Sequence, residues 1–288
     1  MKRVFITGAG GFIGRNIQEQ LKHKYHLLTP SRKELDLLNK GQVDLFFKKN
    51  KIDVVIHCAI VGGSIKAQEV STALSENIRI FLNITGNHKR FKKMIQLGSG
   101  SEYYNNRQLI DVNEADFGRY IPSDDYSLFK YISSKLIENS NKIVNLRVFG
   151  LFGKYDDYHL RFISNSICRN IFGQPIEINQ NRVFDYMYID DFVKIVDYFI
   201  SHEVKYKFYN IGNGLKIDLI SIAHAINTSS HIKSRIIVKK EGIGYEYTCN
   251  NLRLMKEIPS LKFTETSEAV KILFNWYKKY KADLTPPW

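Results

Sequence analysis

The sequence is poor in cysteine, has no long apolar run and is short of acidic side chains. Cys58, Cys168 and Cys249 are the three cysteines of 288 residues, far apart and without a CxxC pair. A disulfide scaffold and a cysteine zinc site are thereby disfavoured, no metal site is expected, and a reducing cytoplasm fits. No segment reaches the roughly 18 uninterrupted apolar residues of a membrane span. The most apolar stretch, 54–63, is interrupted by His57. The N-terminal apolar stretch runs straight into glycines and lacks the h-region and cleavage site of a signal peptide. Lys and Arg number 42 against 29 Asp and Glu, a net charge of +13. This excess is scattered, as in Lys48-Lys49-Asn50-Lys51 and Lys278-Lys279, and forms no stripe of the kind that binds nucleic acid. Repeats, low-complexity runs and linkers are also lacking.

What is present is an alternation of strands and helices. The segments 3–7 (RVFIT), 25–29, 53–59, 93–97 and 142–148 are apolar and β-rich. Helical patterns over 16–24, 43–50, 72–88 and 126–139 separate them, which predicts a parallel sheet with right-handed crossovers. Beyond residue 150 the pattern loosens. Helices are expected over 160–171, 192–200 (capped by Asp190) and 267–280, where Ala269, Ile272, Leu273 and Trp276 share a face. Short strands are expected near 176–178, 185–189 and 208–211.

Gly8, Gly11 and Gly14 form GxxGxxG between the first strand and the first helix. Such a loop makes a tight turn, lets a pyrophosphate approach the backbone and packs helix against strand. Gly8, Gly11, Phe12, Ile13 and Gly14 are therefore candidate cofactor-binding residues. The end of the second strand (Leu28-Thr29-Pro30-Ser31-Arg32-Lys33) has no acid to receive ribose hydroxyls. Ser31 and Arg32 suit a 2′-phosphate, so NADPH is favoured over NADH or NAD.

Tyr126 and Lys130 form YxxxK. On a helix, i and i+4 share a face, and a cation beside a phenol favours tyrosinate. Ser99 leaves the predicted 93–97 strand at the ligand-binding edge of the sheet. Ser99, Tyr126 and Lys130 are the candidate catalytic set for proton transfer at a carbonyl.

The glycine loop, the strand-end serine and YxxxK together resemble the extended short-chain dehydrogenase/reductases, the sugar-nucleotide epimerases, dehydratases and reductases. Asp36-Leu37, His57-Cys58-Ala59, the 184–191 stretch FDYMYIDD and Tyr209-Asn210-Ile211-Gly212 are similar to further motifs of that family. The resemblance implies a Rossmann-type doubly wound α/β sheet with a smaller, interleaved C-terminal α/β substrate domain. The expected division is 1–152 for the dinucleotide, with 184–212 returning to it, and 153–183 with 213–288 for the sugar nucleotide. It adds Asp36, Leu37, Cys58, Ala59 and Phe149 to the cofactor site, and Tyr103 and Arg182 to the sugar site. It also implies a homodimer through helices 72–88 and 126–139.

Within the family, Ser31–Leu38, Val61-Gly62-Gly63 and Val148-Phe149-Gly150 look most like the GDP-fucose synthase branch. That branch uses NADPH, epimerises a 4-keto sugar at C3 and C5 through a cysteine and a histidine, and reduces C4. Here Ser101 stands at the cysteine position and His159 in the region of the histidine. Serine is a far poorer base than a thiolate. The expectation is NADPH-dependent C4 reduction of a 4-keto-6-deoxy sugar linked to GDP, CDP, dTDP or UDP, in deoxysugar biosynthesis for surface glycans. Ser101 and His159 are second-tier catalytic or sugar-contacting residues. Alternatives are a bifunctional 3,5-epimerase/4-reductase, a 4-epimerase, a 4,6-dehydratase and a dinucleotide-binding redox sensor. Glu102 is expected to point to the far face of a strand.

Overall fold

The structure, a computed structural model, describes residues 1–62, 72–103 and 107–285. Gly63, the last residue of the Val61-Gly62-Gly63 stretch, lies outside them. The first half runs β1 (Arg3–Thr7), α1 (Phe12–Leu21), β2 (His26–Leu28), α2 (Lys40–Lys49), β3 (Val54–His57), α3 (Ala73–Thr85), β4 (Lys93–Ser99), β5 (Leu109–Val112), α4 (Asp125–Ile137) and β6 (Ile143–Val148). The second half runs β7 (Gly150–Phe152), α5 (Phe162–Ile171), β8 (Ile176–Asn181), β9 (Val183–Tyr188), α6 (Ile189–Ser201), β10 (Phe208–Ile211), β11 (Lys216–Asp218), α7 (Leu219–Ser229), β12 (Ile236–Ile243), β13 (Tyr247–Cys249), α8 (Leu252–Glu257) and α9 (Thr266–Lys279).

The chain divides into two compact units, the first being 1–105, 114–148 and 193–210. Its six-stranded sheet has the order β10-β6-β4-β3-β1-β2. The β1–β2, β1–β3, β3–β4 and β4–β6 pairs are all parallel. This is the doubly wound α/β arrangement expected from the sequence. All four residues of β3 are buried, as its continuous apolar run requires of a central parallel strand. Phe5, Val55, Met94 and Ile143 of the sheet share one core cluster with Phe47 of α2, Phe81 of α3 and Phe129 of α4. Strand order reverses between β1 and β3, which is where open α/β sheets bind ligands.

The second unit comprises 106–113, 149–192 and 211–288. It holds a sheet of order β11-β9-β13-β5, with β7 also paired to β9, and a two-stranded sheet of β12 and β8. The division differs from the expected boundaries in four segments, 106–113, 149–152, 184–192 and 211–212. Residues 184–192 belong with the second unit because β9 pairs with β7, β11 and β13. Residues 106–113 join it because β5 pairs with β13. Asp190 is not a cap but lies in the first turn of α6, where its charge complements the helix dipole. Ile272 of α9 faces outward at 43% exposure, while Val270, Phe274 and Tyr277 join Ala269 and Leu273 on the buried face. Among the described residues no helix is long and apolar enough to cross a membrane.

Candidate active site

β1 delivers the chain to Gly8 at φ +66°, a left-handed conformation that disfavours a Cβ. A Cβ there would also stand 2.7 Å from the backbone nitrogen of Ala59, just past β3. At Gly14 a Cβ would meet the Gly8 carbonyl oxygen at 2.4 Å. Gly11 caps α1 with extended backbone and no side-chain bond, and the first turn of α1 carries no acid. The first amides of the helix therefore keep no competing side-chain acceptor, the condition for receiving an anion. Thr7 Oγ1 accepts from the Ala59 amide at 3.1 Å and lies 2.7 Å from His57 Nδ1, tying the ends of β1 and β3 together. Burial, and then the charge of Lys130, push His57 down to about 3, so its ring is neutral.

A cavity of about 640 Å³ opens at this reversal point within the first unit, inside the size range of small-molecule and cofactor sites. Its walls include Gly8, Gly11, Ser31, Arg32, Asp36, Leu37, Cys58 and Ala59, all expected from the sequence. Phe12 and Ile13 do not line it, since α1 begins at Phe12 and carries both into its first turn. Gly14 serves packing, as its contact with Gly8 requires. Arg32 is exposed and makes no ion pair with the described residues. The sequence reading found no acid on this loop, yet Glu34 folds back so that Oε2 accepts from the Ser31 amide at 2.7 Å. That bond holds its carboxyl below the usual range. Glu34 is not among the cavity walls. Burial pushes the Cys58 thiol up to about 12 against the pull of Lys130, which favours the thiol over the thiolate.

β4 ends at Ser99, and a 3-10 turn, Gly100–Tyr103, follows at once. Ser99 is buried, and its Oγ accepts from the Ser101 amide at 3.1 Å. α4 starts at an N-cap made by Asp124, which accepts from the Ser127 amide at 2.9 Å. The cap sets Tyr126 and Lys130 one turn apart on the same helix. Lys130 Nζ lies 5.6 Å from the centre of the Tyr126 ring and donates to the Leu97 carbonyl at 2.6 Å. Lys130 is thus fixed two residues before Ser99 on β4, while Tyr126 stays half-buried. Ser101 is buried, and its Oγ has no hydrogen-bond partner among the described residues.

The remaining candidates are Tyr103 in the first unit and Phe149, His159 and Arg182 in the second. Tyr103, expected at the sugar, is buried; its hydroxyl donates to Asn210 at 2.7 Å and accepts from Arg147 at 3.1 Å. Its polar capacity is spent inside the protein. Phe149, expected at the cofactor, is buried in the second unit, 4.9 Å from the Tyr247 ring. In that same unit His159 is exposed beside Tyr158, with ring centroids 4.2 Å apart. Arg182 donates from Nε to the Tyr245 carbonyl at 3.2 Å. Sequence reasoning missed Asp185 as a clamp: its carboxylate accepts from the amides of Asn213 at 2.7 Å and Gly214 at 3.1 Å, and burial lifts it to about 6. It also placed Glu102 on a strand, whereas Glu102 lies fully buried in the 3-10 turn. Among the described residues no cluster of three or more metal-ligating side chains is present.

The sequence model of the NAD dependent epimerase/dehydratase family matches residues 4–212, and the chain belongs to that family. It is an NAD(P)-dependent nucleotide-sugar oxidoreductase by that membership. A GDP-L-colitose synthase of Yersinia pseudotuberculosis is 27% identical over 245 residues, spanning 75% of this chain and 77% of its own. A GDP-L-fucose synthase of Escherichia coli is 24% identical over 270 residues, spanning 82% and 84%. The fold matches that of a UDP-glucose 4-epimerase of Thermotoga maritima solved with UDP-glucose, at a TM-score of 0.84 and 17% identity over 97% of this chain and 99% of the other.

Proposed function

We propose that the protein uses NADPH to reduce a nucleotide-linked 4-keto-6-deoxy sugar at C4. One observation carries this reading: Lys130 and Tyr126 share a face of α4, and Lys130 Nζ is bonded to the Leu97 carbonyl beside the strand end that bears Ser99. The residues around the cavity fit a dinucleotide, because Gly8 and Gly14 leave room where a Cβ would strike backbone. The nicotinamide cofactor supplies a hydride when bound. Tyr126 gives the proton to the sugar oxygen, and the Ser99 hydroxyl donates a hydrogen bond to that oxygen. Lys130 holds the cofactor ribose and supplies a positive charge next to Tyr126. Arg32 and Ser31 take the 2′-phosphate.

The two relatives are named for making colitose and fucose, sugars without a 6-hydroxyl, as GDP conjugates. A GDP-linked sugar is therefore the first substrate to test, and a surface-glycan precursor is the product this reading assigns. Ser101 in the cysteine position favours reduction without epimerisation at C3 and C5. The bifunctional epimerase–reductase is the second reading, favoured by the position of the buried Ser101 two residues from Ser99. A homodimer through α3 and α4 and a cytoplasmic setting belong to the same proposal. The exposed Leu82 and Leu136 of those helices and the three free thiols support them.

The test supplies GDP-, CDP-, dTDP- and UDP-linked 4-keto-6-deoxy sugars with NADPH or NADH, following cofactor absorbance and product NMR. The expected result is NADPH consumption with one nucleotide series and an alcohol at C4. Failure to consume either cofactor with any of the four contradicts the reading.

A further inference from the structure

A buried carboxylate sits directly behind Ser99. Glu102 is fully buried, and its partner Arg147 is 1% exposed. Arg147 Nε donates to Glu102 Oε2 at 2.7 Å. Removing two such charges from water is costly unless their lone pairs and protons find partners. Here both carboxylate oxygens and two guanidinium nitrogens do. Glu102 Oε1 accepts from the Ser99 amide at 3.0 Å, and Oε2 accepts from Ser134 Oγ at 2.5 Å. Asn145 Nδ2 reaches both oxygens, at 3.2 and 3.3 Å. The guanidinium lies 4.2 Å from the centre of the Phe117 ring and 4.7 Å from that of Phe208. Gly98 accommodates this arrangement, since a Cβ there would stand 2.4 Å from Glu102 Oε1.

Two of these partners belong to the reacting machinery. The Ser99 amide is in the residue whose hydroxyl faces the reacting oxygen. Ser134 is one helical turn beyond Lys130 and two beyond Tyr126 on α4, on the face those residues share. One carboxylate therefore fastens the end of β4 and the helix that carries the proton donor. We propose that Glu102 is a positioning residue that sets the register between Ser99 and Tyr126, rather than a core charge that serves stability alone. The proposal rests on the reading of Ser99, Tyr126 and Lys130 as the reducing set. It assigns Glu102 no contact with substrate and no proton transfer.

Displacing a reacting group by about 1 Å costs about 10²-fold in rate, so Glu102→Gln is expected to lower kcat by that order. Ser134→Ala, which leaves the ion pair in place, is expected to lower it about tenfold by the same reasoning. KM for the sugar and the Kd of NADPH should change by no more than about twofold, because both side chains are fully buried and the proposal gives them no contact with sugar or cofactor. The decisive comparison repeats both substitutions in a Ser99→Ala background. A register between two groups matters only while both are present, so the additional loss there should shrink to less than about twofold. Assays are run well below each variant's melting midpoint. If Glu102→Gln does not fold, Ser134→Ala alone decides. Losses that persist in full in the Ser99→Ala background, or a lowered midpoint with unchanged kcat, overturn the proposal. Wild-type protein that reduces no keto sugar refutes the reading of the site and this inference with it; an active wild type with additive losses refutes this inference alone.

Discussion

Replacement of Gly8 by alanine separates the steric role of the glycine loop from its conformational one. Gly8 has φ +66°, and a Cβ would lie 2.7, 2.8 and 3.0 Å from backbone atoms of Ala59 and Cys58. These are strand-end atoms that cannot swing aside as a side chain would. Gly173 provides the control, with φ +69° but nothing within 4 Å of the Cβ position. Both substitutions incur about 1–2 kcal/mol for the left-handed backbone. Both recover about 0.4–1 kcal/mol through the unfolded chain. Gly8→Ala alone adds an overpacking cost of roughly 1–3 kcal/mol. At about 2–4 °C per kcal/mol for a chain of this size, its apparent melting midpoint should fall roughly 2–12 °C below that of Gly173→Ala. Relieving a 2.7 Å contact moves the loop by several tenths of an ångström at the entrance to the cavity. NADPH affinity, measured by calorimetry, should therefore drop at least about tenfold in Gly8→Ala, or 1.4 kcal/mol, and stay unchanged in Gly173→Ala. Coincident melting of the two variants, or wild-type NADPH affinity in Gly8→Ala, refutes the reasoning.

Further expectations concern the site and its surroundings. Tyr126→Phe removes only the proton donor and should lower kcat by roughly 10²–10⁴-fold with cofactor affinity nearly unchanged; retention of half the activity removes Tyr126 from the mechanism. Arg32→Ala should weaken NADPH by about 1.5–3 kcal/mol, the worth of a charge-assisted bond, and leave NADH little changed; equal loss for both shows that Arg32 does not read the 2′-phosphate. His57, ordinarily near 6.5, stays neutral in the folded protein down to about 3 because of burial and then Lys130. Below pH 6.5 the unfolded chain takes a proton that the folded one refuses, so its stability contribution is lost as pH falls, by roughly 2 kcal/mol between pH 6.5 and 4.5. Urea unfolding across that range should show the stability gap between wild type and His57→Asn closing on acidification; the raised carboxyls of Asp156 and Asp185 are common to both proteins and cancel. A gap that stays constant from pH 6.5 to 4.5 contradicts the buried neutral ring.

The parts legible in the sequence are those whose chemistry is local. The loop from Gly8 to Gly14 is bounded by a strand and a helix within a dozen residues, and Tyr126 with Lys130 follows from helical spacing alone. The six-stranded sheet was readable because its strands are apolar runs cut by turns. The second unit was harder. β7, β11 and β13 have three residues each, too few to display a period. β12 is mostly exposed, so its residues Ile236–Ile243 carry no core-facing alternation. Glu102 looked misplaced because its partners, Ser134, Asn145 and Arg147, lie 32 to 45 residues away. Nothing in the local pattern connects them. Asp185 escaped notice for the same reason, as its acceptors serve amides 28 and 29 residues further on. Long-range polar pairing leaves no periodic trace, whereas capping, turning and face-sharing do.

The central claim, reduction at C4 without epimerisation, is tested most directly in D₂O. The protein is incubated with NADPH and a GDP-linked 4-keto-6-deoxy sugar, and the product is read by NMR. Deprotonation next to a keto group needs a base poised near neutral pH, and Ser101 has no hydrogen-bond partner among the described residues to activate it. The account predicts consumption of NADPH, an ordinary hydrogen delivered to C4, and no deuterium at C3 or C5. Rapid deuterium incorporation at both carbons, lost in Ser101→Ala and His159→Gln, contradicts it and makes the enzyme an epimerase–reductase.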